Sequence, residues 1–162
     1  MQKGCSCLGS TFGMLIFFVV GLGLVYWGWG VLQNARSSAS WPSVSGQITS
    51  SSVSHSTDSE GADSYTPSVG YRYVVNDLQY SGSRIKFGET SYNKESEAAA
   101  VVARYPAGTT IPIYYDPAGP DTAVLEPGVT SGSYLFLAIG ACFIILALVL
   151  TPIIAISSLR KN

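Results

Sequence analysis

The chain is predicted to combine membrane α structure with an α+β module: two transmembrane helices flank a small antiparallel β-rich domain, barrel-like or sandwich-like, with one helix. Three observations predict this. Thr11–Leu32 and Tyr134–Ile156 are uncharged apolar runs, each long enough to cross a hydrocarbon core of about 30 Å at about 1.5 Å per residue. The polar stretch between them alternates apolar and polar residues in several short segments, the period of half-buried strands. One segment, Asn93–Tyr105, shows helical spacing instead. The expected organisation is a tail at 1–10, a span at 11–32, the β-rich domain at 33–133, a span at 134–156 and a tail at 157–162.

The first span is rich in glycine. Gly9 and Gly13 have the four-residue spacing that lets helix backbones approach, and Ala147, Thr151 and Ala155 offer a comparable stripe on the second. The plain reading is packing of the two spans within one chain; the sharper one is homo-oligomerisation through them. Pro152 is expected to kink the second span. Neither span holds an ionisable residue, which argues against a channel or transporter. Tyr26, Trp27 and Trp29 close the first run with an aromatic belt, so it reads as a retained helix rather than a cleaved leader.

Within the polar stretch, Val44, Gly46 and Ile48 alternate with Ser45 and Gln47 as a first strand. Ser54–Ser64, rich in Ser, Asp and Gly, is expected to be a long mobile loop, with His55 solvated at its start. Val69, Tyr71, Tyr73 and Val75 share one strand face. Asn76-Asp77 is a hairpin turn, because both residues tolerate positive φ. Leu78, Tyr80 and Gly82 resume the alternation, and Gly82 is expected to mark a bulge. In Asn93–Tyr105, Asn93 is the expected N-cap, Glu95 and Glu97 sit in the first turn, Arg104 in the last, and Pro106 stops the helix. Thr109–Tyr115 is a strand that Pro112 confines to an edge or a bulge. Ala123–Leu125 is a last short strand.

Charge is segregated along the chain. All ten acidic residues lie between Asp58 and Glu126, against five cations from Arg72 to Arg104. Such a module has no electrostatic case for nucleic acid and is poorly suited to lie on anionic lipid. Lys3, Arg160 and Lys161 flank the runs on their outer sides, opposed only by Arg36. By the positive-inside bias both termini are expected in the cytoplasm, with the domain periplasmic or extracellular. Cys5, Cys7 and Cys142 all lie outside the domain, so it has no internal disulfide.

The residues Trp41-x-x-Val44-x-Gly46-x-Ile48, Tyr71-x-Tyr73, Tyr80-x-Gly82-x-Arg84-Ile85-x-Phe87-Gly88, Tyr105-Pro106-x-Gly108 and Ile111-Pro112-Ile113-Tyr114-Tyr115-Asp116-Pro117 read together. This series, continuing to Gly128, resembles the bacterial DUF3592 family of membrane proteins over Trp41–Gly128. The resemblance implies a two-helix anchor around a compact β-rich domain, set in the bacterial inner membrane, and carries no established activity.

No nucleophile elbow, phosphate loop, metal-ligand cluster or paired carboxylates at helical spacing occur in the sequence, so no enzyme, cofactor or metal is expected. The candidate binding residues are Arg84, within the resemblance, with Lys86 and Tyr114. The plain reading of Arg84 is a stem packed over the sheet. Two functions are expected to compete. In one the domain is a non-enzymatic binding module held at the bilayer and facing a protein partner, an envelope-acting toxin (an immunity role) being one candidate. In the other the protein is an accessory subunit of a larger membrane complex, assembled through its helices.

Overall fold

The structure, a computed structural model, describes residues 5–88 and 91–159. Lys3, Arg160 and Lys161, and the side chains of Cys5, Cys7, Gly9, Thr151 and Ala155, lie outside the described residues. The charge pattern of the tails, the paired cysteines and most of the expected small-residue stripes fall there. In chain order the elements are α1 (Cys5–Ser38), β1 (Ser43–Thr57), β2 (Asp63–Val75), β3 (Leu78–Gly82), α2 (Glu95–Val102), β4 (Thr110–Asp116), β5 (Gly119–Val124) and α3 (Leu135–Leu159), with a single 3₁₀ turn at Ser131–Tyr134. They form two compact units, one of residues 1–31 with 134–162 and one of residues 32–133.

The first unit holds the greater part of Leu15–Ser38 and Ser131–Leu150, helices long and apolar enough to cross a membrane, with mean hydropathy 2.1 and 2.6. α1 and α3 pack antiparallel. Phe17 stacks on Phe143 at 5.6 Å, and Trp27 meets Phe136 at 4.7 Å. Between these ring pairs, a Cβ on Gly21 would lie 2.9 Å from Ile144, and one on Gly140 would lie 2.9 Å from the Gly21 carbonyl. The close approach thus runs through Gly21, Gly28 and Gly140; Gly13 has nothing within 4 Å. Pro152 lies inside α3.

In the second unit a five-stranded antiparallel sheet has the order β3-β2-β1-β4-β5. Alternation sends Ile48, Val69, Tyr71, Tyr73, Val75 and Ile113 to one buried face. The sheet is open, since β3 and β5 share no ladder, so it is neither a closed barrel nor a two-sheet sandwich. Its interior is bridged instead by tyrosines. The Tyr71 hydroxyl lies 2.8 Å from the Ala123 carbonyl and 3.0 Å from that of Arg84, and Tyr73 donates to the Pro120 carbonyl at 2.6 Å. Burial, and then the carboxylate of Asp121, raise the Tyr73 phenol above its ordinary pKa. α2 covers the same face through Ala98 and Val101.

The Asn76-Asp77 turn is as expected, with φ 50° and 63° and Val75 paired to Leu78. Elsewhere the structure corrects the expectations. Ser54–Ser64 is not a long loop: β1 runs to Thr57 and β2 starts at Asp63, because serine and threonine complete a regular ladder. Only Asp58–Ala62 turns. There the Asp58 carboxylate accepts the N–H groups of Glu60 and Ala62, each at 2.9 Å, and Gly61 takes φ 84°.

Gly82 is not a bulge. It sits opposite Tyr71 in regular register, and a Cβ there would lie 2.6 Å from the Tyr71 ring, so the residue is small to admit the ring. α2 is shorter than expected. Lys94, not Asn93, is the N-cap and makes no side-chain cap bond. Pro106 disfavours helical geometry at Tyr105, and the chain tightens into i→i−3 bonds at Arg104 and Tyr105. Arg104 then leaves the helix for Glu126, at 2.7 Å. Pro112 lies on a strand that is interior by order, but β5 pairs only from Tyr114 onward, so Pro112 occupies a local edge. The last strand begins at Gly119 rather than Ala123.

Replacing Tyr71 by Phe leaves the Ala123 carbonyl without its donor in the interior. The expected cost is about 1–3 kcal/mol, read as a lower midpoint in thermal unfolding of the detergent-solubilised chain.

Candidate binding surface

The residues between the core positions build the opposite face. Ser81, Arg72, Gln47 and Thr110 stand side by side across β3, β2, β1 and β4. Val74 with Gln79, and Ser45 with Pro112, form the next pairs along. No helix covers this face among the described residues. It holds an open concavity of about 570 Å³ lined by Ser45, Gln47, Arg72, Val74, Gln79 and Thr110, with backbone from Gly46 and Tyr73. Arg72 is exposed, is the only charged group in this lining, and forms no ion pair among the described residues. A guanidinium flanked by amides and hydroxyls is suited to a planar carboxylate, which it can grip with two parallel hydrogen bonds.

The sequence-derived candidates lie on two segments, the stretch after β3 and strand β4. Arg84 is exposed and its guanidinium lies 5.1 Å above the Phe87 ring. Lys86 is half-buried on the same segment after β3. Tyr114 is half-buried on β4 and shares the open face with Thr110 and Pro112. The two cations thus lie outside the strands, on the segment whose Ile85 carbonyl meets the chain at the end of β5, and the tyrosine lies on β4 opposite Val124 of β5. Sequence reasoning missed Arg72. The signal was present, because a residue between the core positions Tyr71 and Tyr73 must face the other way.

The Arg84–Gly88 signature does structural work. The Ile85 carbonyl accepts N–H groups from Leu125 and Glu126, at 3.0 and 2.7 Å. The Phe87 carbonyl accepts the hydroxyls of Ser133 and Thr130, at 3.1 and 3.2 Å. The Phe87 ring meets Trp41 edge-on at 5.7 Å. Gly88, at φ 73°, packs its backbone directly on Gly132 and Ser133, where no side chain fits. Ser38, fully buried at the end of α1, accepts the Gly128 N–H at 2.9 Å.

A polar cluster lies on the β1–β2 arm. Asp63 Oδ1 accepts from Thr57 at 2.8 Å and meets His55 Nε2 at 2.9 Å, and the imidazole stacks on Tyr65 at 4.8 Å. The Thr57 bond first, and the His55 bond next, lower the Asp63 pKa from its ordinary value. Among the described residues no three His, Cys, Asp or Glu converge as a metal site.

A family model described as DUF3592, a domain of unknown function, matches residues 44–130, more than half of the chain. No curated protein and no solved structure matches it.

Because the Asp63 pKa is lower in the folded arm than in the unfolded chain, its contribution is complete above the ordinary carboxylate pKa and is lost as pH falls through the lowered value. Amide exchange on the arm should therefore stay protected as the pH falls from neutral to about 4 and lose protection below it. Asp63→Asn should flatten that profile.

Proposed function

Taking as premise that the chain belongs to the DUF3592 family, we propose that it is a membrane-anchored, non-enzymatic binding module whose β domain meets a protein partner outside the cytoplasm. The observation that carries this reading is the bare sheet face around Arg72. The opposite face is filled by α2 and the core tyrosines, while the concavity on this one presents Arg72, which has no ion pair among the described residues, beside neutral donors. Buried arginines near the centre of an interface are frequent energetic anchors. The concavity is shallow and polar, a poor container for a free small molecule and a better landing site for a carboxylate carried on another protein. An envelope-acting toxin is one partner of that class.

The proposed setting is the bacterial inner membrane, with both termini cytoplasmic and the domain periplasmic or extracellular. Support comes from Lys3, Arg160 and Lys161 on the outer flanks of the apolar runs and from the antiparallel packing of α1 and α3, which returns the chain to the side it left. The accessory-subunit reading draws on another observation. Gly23 and Gly30, seven residues apart on α1, have nothing within 4 Å and leave room for a further helix.

Two experiments test these readings. A reporter active only in the periplasm, inserted at Gly61, should be active; activity of a cytoplasm-only reporter there reverses the orientation. In the second, a photo-crosslinker at Gln79 captures the partner in cells, and capture is compared across variants of equal abundance. Arg72→Gln should weaken it by about thirtyfold, the equivalent of about 2 kcal/mol, whereas Arg84→Gln should change it little. Exchange of both apolar helices for unrelated spans should preserve capture. Loss on that exchange, with the domain folded, would favour the accessory reading.

A further inference from the structure

The β1–β2 arm carries a second surface, on its edge rather than its face. Two hydrogen bonds reveal which way its backbone points. Tyr65, directly opposite His55, exchanges both N–H···O bonds with Tyr92 on the far side of β2, each at 2.8 Å. Its backbone groups therefore point away from β1, and the 55/65 pair is a non-hydrogen-bonded one. The register is unbroken from Ser50 to Thr57. By alternation, Val53, His55 and Thr57 direct their N–H and C=O groups outward from β1, while Ser52, Ser54 and Ser56 direct theirs into the β2 ladder. The Asp58 N–H to Ala62 carbonyl bond at the tip fits this phase, and so does Pro67, whose missing N–H falls at an outward position.

Among the described residues no backbone group pairs with the outward groups of Val53, His55 and Thr57. The pairing of β1 with β4 ends at Gln47, followed by two bonds at Ile48. Beyond that point no backbone partner lies on this side among the described residues. The end of α2 reaches Ser51, whose hydroxyl donates to the Val102 carbonyl at 3.3 Å, so the open edge starts at Val53. Exposed edges are normally blunted by proline, lysine, a bulge or a covering segment. Here β2 is blunted by Pro67 and Tyr92, and β4 by Pro112. Val53–Thr57 has none of these devices.

We propose that this edge of β1, Val53–Thr57, accepts an extended segment of a partner protein as an additional strand, with a basic residue of that segment beside the tip of the arm. Only another peptide backbone matches donors and acceptors repeating at about 6.8 Å. The basic residue follows from charge: Asp58, Glu60 and Asp63 surround the tip, and there is no Lys or Arg from Ser37 to Tyr71. Ser52, Ser54 and Ser56 flank the edge on one face and are small enough to admit a neighbouring strand. On the other face Val53 and the His55–Tyr65 stack offer apolar contact. This surface is independent of the Arg72 concavity.

The test uses the full chain in nanodiscs and a synthetic peptide of alternating threonine and valine ending in two lysines. Residue-resolved amide exchange is followed by NMR. The peptide should slow exchange at Val53, His55 and Thr57 by about tenfold or more, leaving the ladder-bonded amides of Ser52, Ser54 and Ser56 unchanged. An N-methylated version of the peptide should have no effect. Val53→Pro removes one outward N–H without touching the ladder, so it should abolish the response. Val53→Lys, which opposes the basic peptide, does the same should the proline variant fail to fold. Arg72→Gln should leave the response intact even where it removes partner capture. No protection at the three amides, or equal protection by the N-methylated peptide, overturns the proposal. Protection that rises with protein concentration in the absence of peptide overturns it in favour of a second copy of this chain.

Discussion

The β module depends on tyrosine hydroxyls that cross its interior. Its sheet leaves β3 and β5 without a shared ladder, and no cysteine lies within it. Tyr71 and Tyr73 bridge that gap by presenting phenol groups to carbonyls at Ala123 and Pro120. Each ring fills apolar volume with its body and satisfies a strand carbonyl with its tip, which an aliphatic side chain cannot do. Neighbouring choices follow from this arrangement. Gly82 is bare because the Tyr71 ring lies on it, and Tyr80 stacks on Tyr73 at 5.7 Å. The segment after β3 is drawn toward the segment after β5, where Ile85 receives two N–H groups.

Much of this architecture was legible in the sequence. Alternation at Val69–Val75 identified the buried face, Asn76-Asp77 identified the turn, and the two apolar runs identified the long helices. The errors share a cause: local composition was read without its tertiary partners. The serines of Ser54–Ser64 looked like loop because they are small and polar, yet Ser54, Ser56 and Ser64 all stand in the β1–β2 ladder. Gly82 looked like a bulge because its neighbour in space, Tyr71, is distant in sequence. Asn93 looked like a cap because side-chain chemistry is visible in sequence, whereas the residue at which a helix starts is set by packing of Ala98 and Val101.

The candidate site was less legible than the fold. Arg84 attracted attention because it sits in a recognisable signature, but that signature holds the base of the module together. Ile85, Phe87 and Gly88 each bind the chain that leads into the second apolar helix. A shared motif can thus record a demand of the fold rather than of a ligand. Arg72 carried no motif, and only its parity within β2 marked it. Arg72 faces solvent, so no packing demand of the core singles it out in the sequence pattern.

The position of β1 has a further consequence for how the chain is made. β1 lies at the centre of the sheet, between β2, which follows it at once, and β4, more than fifty residues later. The β1–β2–β3 ribbon contains only short-range pairings, so it can form without α2 or β4. The other side of β1, at Ser43–Gln47, must then wait for α2 and β4 to be synthesised, and the bond between Ser38 and Gly128 closes a loop of about ninety residues. Closing so long a loop costs entropy before it returns contacts. The contacts that complete the domain therefore draw on the stretch of chain immediately before the second apolar helix.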